Sequence, residues 1–334
     1  MTIYRKQLAE IPLSILDLSP ISEGKTAADA FHNSLDLAQH GDDWGFQRYW
    51  VAEHHNTPSV GSSATSVLIG YIAGGTKRIR VGSGGIMLPN HAPLMIAEQF
   101  GTLESLYPGR IDLGLGRAPG TDQITARALR RDRNGGQSFP DLLAELMAYF
   151  QPAEGDPVRA IPGEGMEIPI WLLGSSDFSA RLAGELGLPF AFAGHFSPDF
   201  ILPALEIYRH HFRPSTVLEQ PYAMVGVNVI AADHDDEAQY LATSLYQSFL
   251  QLVRRTPKPI QPPVKNLDAL WDSFERDAVE RSLSSTIIGG PETVQQKLQA
   301  LLDATQADEI MINTSTYEHT DRIHSYEIVK KIWR

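Results

Sequence analysis

With 334 residues, 43% of them hydrophobic and 20% charged, the chain can bury a large core, and α/β barrels routinely run past ~250 residues as one unit. A formal net charge of −12 argues against a surface made for nucleic acid or anionic lipid, where clustered Lys and Arg neutralise phosphates. The absence of cysteine excludes disulfides, Cys-ligated zinc, iron–sulfur clusters and thiol nucleophiles.

The chain opens without the apolar core of a signal peptide, and no stretch reaches the ~18 consecutive apolar residues of a membrane span; a soluble, cytoplasmic protein is expected. Pro12–Leu18 reads as the first strand, followed by a helix with Phe31, Leu35 and Ala38 on one face. Strand Arg48–Glu53 precedes a helix over Ser63–Gly74, and strand Arg78–Gly82 precedes a helix over Pro93–Leu106 that Tyr107-Pro108-Gly109 stops. Arg110–Gly116 is the fourth strand. Ala118–Gln137, rich in Arg, Asp and Gly, reads as a loop after it.

The same rhythm continues with strand Ile170–Leu173 and a helix over Phe178–Leu186, then strand Phe190–Ala193 and a helix over Pro198–Phe212. Ala223–Ala231 is strongly β and leads to a helix over Asp235–Val253. Prolines at 257, 259, 262 and 263 forbid helix and open an excursion to about Gly290. Helix Pro291–Thr305, strand Glu309–Asn313 and helix His319–Ile332 complete the chain. Eight strands, each followed by a helix, predict a (β/α)8 TIM barrel forming one domain over residues 1–334, with insertions after strand 4 and before strand 8.

Side chains at the C-terminal ends of barrel strands build the site. Glu53-His54-His55-Asn56 ends the second strand, where alternation turns Glu53 and His54 to opposite faces. One imidazole there can act as a general base or as a hydrogen-bond donor to a cofactor; no third ligand at a telling spacing supports a metal. Gly82, Gly84 and Gly85 end the third strand and mark a close approach to the backbone. Arg117, ending the fourth strand, can clamp a phosphate. Ser175, Ser176 and Ser179, at the start of a helix, either complete an anion site with its free N–H groups or simply cap it. Asp17 and His195, at the ends of strands one and six, and His55 are candidate substrate-pocket residues or satisfied structural groups, as are Asn90 and His91.

Tyr49–His55, Val81–Pro89 with Ala97-Glu98, and Gly109–Arg117, with weaker echoes in Gly187-Leu188-Pro189 and Ala307–Met311, strongly resemble the bacterial-luciferase-like flavin monooxygenases, over nearly the whole chain. The resemblance implies FMN, used as FMNH2 from a separate NAD(P)H:flavin reductase, with O2 and a small organic substrate. It implies proton transfer by His54 with His55 close by, a cis Gly84–Gly85 peptide beneath the flavin ring, and a phosphate grip by Arg117, Ser176 and Ser179. Ser175 stands where luciferase has a glutamate, and Ala118-Pro119-Gly120 replaces bulkier residues, which sets the aldehyde substrate and light emission apart. A homodimer through the helices after strands two and three is also implied. The alternatives within the same superfamily are a deazaflavin F420-dependent oxidoreductase and a non-catalytic flavin-binding protein.

Overall fold

The computed structural model describes residues 5–130 and 138–333. In chain order its regular elements begin with β1 (Leu13–Asp17), α1 (Ala27–Trp44), β2 (Arg48–Val51) and α2 (Thr65–Gly74). There follow β3 (Arg80–Ser83), a two-residue β4 (Ile86–Met87), α3 (Pro93–Leu106), β5 (Ile111–Gly116), α4 (Gln123–Ala128) and α5 (Phe139–Phe150). The next group is β6 (Ile170–Gly174), α6 (Asp177–Leu186), β7 (Phe190–Phe192), α7 (Ile201–His211), β8 (Ala223–Ala231) and α8 (Asp235–Val253). The chain ends with α9 (Ser273–Ser282), β9 (Ile287–Gly289), α10 (Pro291–Thr305), β10 (Glu309–Asn313) and α11 (His319–Trp333).

Eight of the strands form the expected closed barrel. β1, β2, β3, β5, β6, β7 and β8 pair in parallel in that order, and β10 closes the ring against both β8 and β1. The short strands β4 and β9 were not legible in the sequence: β4 adds to the upper end of β5, and β9 to the upper end of β8. Helices α4, α5 and α9 were missed as well. α4 falls inside the segment expected to be loop, held by Asp122, which accepts Ile124 N at 2.7 Å and Thr125 N at 3.0 Å; residues 131–137 of that segment lie outside the described residues. The proline-rich stretch is a loop, as its composition dictates, and Ile260 ties it to the β1–α1 connection through Ile260 N to Ile21 O (2.9 Å) and Glu23 N to Ile260 O (2.8 Å).

Local chemistry sets the element ends. Thr26 and Asp29 form a reciprocal capping box on α1, and Gly45 closes that helix at φ +81°, a conformation that favours glycine. The strands face water on neither side, so β1, β5 and β8 read as unbroken buried runs instead of alternating ones. One face packs under the helices, where fully burying each Leu, Ile or Phe contributes about 1.5–3 kcal/mol. The other lines the lumen, whose middle layer includes Leu16, Trp50, Trp171, Met224 and Met311.

The N-terminal end of the lumen is closed by charge. Arg48 donates to Asp112 at 2.8 Å and to Glu309 at 3.1 Å, Arg80 to Asp112 at 2.9 Å, and Trp50 Nε1 to Asp112 at 3.1 Å. Tyr222 and Ser14 hydroxyls donate to Glu309 from the other side. Among the described residues the charge cluster closes this end, and the C-terminal ends of the strands form the mouth of the barrel. No helix among the described residues is long and apolar enough to cross a membrane.

Candidate active site

Alternation along β2 builds one wall of the mouth. Trp50 lies in the lumen cluster, so Glu53, just beyond the strand, is carried to the outer side. There its buried carboxylate accepts Met87 N at 2.9 Å, His55 Nε2 at 2.9 Å, Asn90 Nδ2 at 3.2 Å and His91 Nε2 at 3.0 Å. Burial disfavours the charged form, but the bonds from His91, His55 and Met87 outweigh it and hold this carboxyl below the ordinary value. Asn90 also donates to Pro119 O at 3.0 Å, and His55 N to Gly120 O at 3.1 Å. Gly120 sits at φ +61° with Glu53 O only 2.7 Å from where a Cβ would stand. Two connections are thus fastened directly to one acid, and the third, after β5, to its partners Asn90 and His55.

His54 goes the other way. A charge on His54 acts on the His195 ring across the lumen, so the two imidazoles share the mouth. Burial pushes the His54 pKa below its ordinary value, against opposing pulls from Gly120 O and Glu53. His195 is pushed down to about 4, first by burial and second by His54. Both rings are neutral at pH 7.

The third strand ends in a segment that crosses directly over β5. The Gly84–Gly85 peptide is cis. A Cβ on Gly85 would stand 2.7 Å from Gly114 O, one on Gly114 would run into Ser83 O, and one on Gly84 would stand 2.7 Å from Leu16 Cδ1. Glycine at these positions lets two backbones touch, with Gly85 buried against β5 and only Gly84 partly open.

Across β5, the Arg117 guanidinium lies over the Phe178 ring, 4.2 Å from carbon to centroid. Phe178 is in the first turn of α6, where the first N–H groups have no partner within the helix. Ser176 is the N-cap residue of α6 yet makes no side-chain capping bond. Ser175 is half-buried beside it, and buried Ser179 packs where a Cβ on Gly174 would be 2.7 Å from its own. Plain capping therefore does not account for Ser176. Arg117 thus stands at the first turn of α6, close to a helix end whose N-cap serine makes no capping bond; a guanidinium, a helix N-terminus and hydroxyls are the kinds of donor that can hold a phosphate.

Two expected pocket residues are placed elsewhere. Asp17 is fully buried on the outer side of β1, because its neighbour Leu16 occupies the lumen. It pairs with Arg322 of α11 at 2.5 Å, accepts Ser19 N at 2.8 Å and receives the Tyr49 hydroxyl. It is a structural ion pair. His55 is taken up by Glu53, outside the lumen. Asn228 and Gly226, which the sequence reading passed over, do face the lumen; a glycine and an asparagine inside the long apolar strand β8 were the signal. Among the described residues no group of three or more His, Asp or Glu is arranged to hold a metal ion.

A barrel with this mouth defines a class, and comparison with known proteins agrees: the chain belongs to the luciferase-like monooxygenase family, whose model matches residues 11–309. It is 64% identical to the Bacillus subtilis protein YvbT over 96% of each chain. It is 52% identical to a luciferase-like monooxygenase of Escherichia coli, over 96% of this chain and 97% of the other. An N-acetyl-S-alkylcysteine monooxygenase of Bacillus subtilis is 38% identical over 96% of this chain and 97% of its own. Among solved structures, apo-MsnO8 superposes with a TM-score of 0.88 at 34% identity, covering 97% of this chain and 98% of that one. The fold is shared with the oxygenating constituent of 3,6-diketocamphane monooxygenase of Pseudomonas putida in complex with FMN (TM-score 0.71, 18% identity, 96% and 97% covered). It is also shared with an F420-dependent secondary alcohol dehydrogenase (TM-score 0.69, 14% identity, 97% and 99% covered).

Proposed function

We propose that this chain is an FMN-dependent monooxygenase that receives reduced FMN from a separate NAD(P)H:flavin reductase and oxygenates a small organic substrate with O2. The observation that carries this reading is the Arg117–Phe178 stack. It sets a fixed cation at the N-terminus of α6 beside Ser175, Ser176 and Ser179, a donor set suited to the terminal phosphate of FMN. The flavin ring is assigned to the Gly84–Gly85 turn, the position that the family resemblance gives it. Reduced FMN, when bound, supplies two electrons and the atom at which O2 is activated. His54, neutral at pH 7, accepts or returns a proton at the lumen. The sealed N-terminal end of the lumen and the apolar layer above it keep water away from the reacting groups.

The reading extends to a homodimer. Helix α2 is apolar on every side and leaves Val67 and Tyr71 exposed, and Met95 and Leu106 of α3 are exposed as well. Sedimentation of the purified protein tests this.

Fluorescence titration with FMN, riboflavin and F420 tests the cofactor, and oxygen uptake with photoreduced FMN and a substrate panel tests the reaction. FMN is expected to bind and F420 not. His54→Ala is expected to bind FMN like the wild type while losing substrate-dependent oxygen uptake. Binding of F420 with no affinity for FMN would replace this reading with that of a deazaflavin oxidoreductase. Unchanged uptake in His54→Ala would remove the role given to His54.

A further inference from the structure

The imidazole of His195 lies inside the barrel, although the residue belongs to the loop after β7. A Cβ on Gly226 would come within 2.8 Å of its Nδ1 and 3.4 Å of its Cε1. Gly226 shares the lumen face of β8 with Met224, two residues before it. Asn228 Nδ2 donates to His195 O at 3.1 Å, and Asn313 Nδ2 donates to Asn228 Oδ1 at 2.9 Å. Ser285 Oγ holds Gly194 O at 2.9 Å from the segment before β9. Three separate parts of the chain fix the backbone that carries this ring, as a preorganised site requires.

The two ring nitrogens differ in surroundings. Nδ1 is sealed from solvent without a partner, and Nε2 is not. A buried N–H lacking an acceptor is rarer and costlier than a bare lone pair, so the proton of the neutral ring belongs on Nε2. The low pKa of about 4 keeps the ring neutral at pH 7. Its polar neighbours Asn228, Asn313 and Ser285 are uncharged too.

We infer that His195 selects substrate: its Nε2–H donates a hydrogen bond to an uncharged acceptor oxygen, such as an amide or ketone carbonyl, of the molecule that enters the lumen beside His54. The inference rests on the proposed function only in taking the mouth as the place of reaction. A carboxylate would be disfavoured there, because a charge moved among neutral dipoles in a low-dielectric lumen is left uncompensated.

The test is nitrogen NMR of the full chain labelled at its 11 histidines, with the His195 signals assigned through His195→Gln. Acetamide and acetate serve as probes, and FMN binding is titrated separately by fluorescence. At pH 7 His195 is expected as the neutral Nε2–H tautomer, shifting saturably with acetamide and not with acetate. Gly226→Ala keeps the imidazole but claims its space. It is expected to weaken acetamide binding about 3- to 10-fold, the worth of one neutral hydrogen bond, while FMN still binds. A proton on Nδ1, an imidazolium at pH 7, or equal responses to the two probes would overturn the inference. If His195 answers acetamide while FMN fails to bind, the cofactor reading falls and this inference stands; if FMN binds while His195 ignores acetamide, this inference alone falls.

Discussion

Glu53 and His91 meet at 3.0 Å in the outer wall of the barrel mouth, with the imidazole Nε2 equidistant from both carboxylate oxygens. The acid also receives His55, Asn90 and Met87 N, so it ties the connection after β2, which carries His54, to the one between β3 and α3, and through Asn90 and His55 N to the one after β5.

The carboxyl of Glu53 is held below its ordinary value of 4.5 in the folded chain. A carboxyl with a depressed folded pKa adds stability that is fully present above its unfolded value and is lost as pH falls through the folded one. Glu53→Gln is expected to lower stability at neutral pH by about 1–3 kcal/mol, since partners in a buried place are left unsatisfied. The gap between wild type and variant should narrow below about pH 4.5, the reference value of the unfolded carboxyl. Thermal unfolding from pH 7 downward checks this, and a gap that stays constant into acid would remove the electrostatic role.

Arg117→Met tests the phosphate grip without emptying the space above Phe178. A charged hydrogen bond to phosphate is worth about 1.5–3 kcal/mol, so FMN affinity should drop roughly 10- to 100-fold. Riboflavin, which has no phosphate, should bind both proteins alike. Equal losses for the two ligands would mean that Arg117 supports the fold of the site and not the phosphate.

The eight barrel strands were legible because β-rich runs alternate with helical periodicity, and that pattern survives burial of both strand faces. Which side a polar residue takes was not. In Ile15-Leu16-Asp17-Leu18 every position is apolar or at a strand end, and a shift of one residue exchanges lumen for outer layer, so the sequence leaves a pocket role and a structural role for Asp17 equally open. At β2 the order of Glu53 and His54 could be told apart by alternation alone. The hub on Glu53 was hidden because its partners His91 and Asn90 come from a different connection. Strands β4 and β9 escaped because two or three residues carry no period.

Gly84 and Gly85 differ in what a side chain would strike. On Gly85 the nearest atoms are Gly114 O at 2.7 Å and Gly114 C at 3.0 Å, both backbone, whereas on Gly84 the nearest is the terminal Leu16 Cδ1 at 2.7 Å. Backbone within a barrel strand cannot swing aside, and a leucine methyl can. Gly85→Ala is expected to cost about 1–3 kcal/mol, as overpacked cores do, and Gly84→Ala less. Urea unfolding of the two variants measures the difference, and an equal or reversed ranking would contradict the close β3–β5 contact.

Arg322 and Asp17 form a buried ion pair, and a mutant cycle separates its structural role from a catalytic one. Both are buried, and Arg322 Nε also donates to Thr314 O at 3.1 Å. Arg322→Met strands a buried carboxylate and should destabilise by about 3–5 kcal/mol, whereas replacing both partners of such a pair costs much less. Asp17→Asn combined with Arg322→Met is therefore expected to recover most of that loss. FMN affinity should be unchanged in the double variant, because neither side chain reaches the lumen. A double variant as unstable as Arg322→Met alone would show that the pair is not the source of the loss. A stable one with impaired flavin binding would return Asp17 to the pocket.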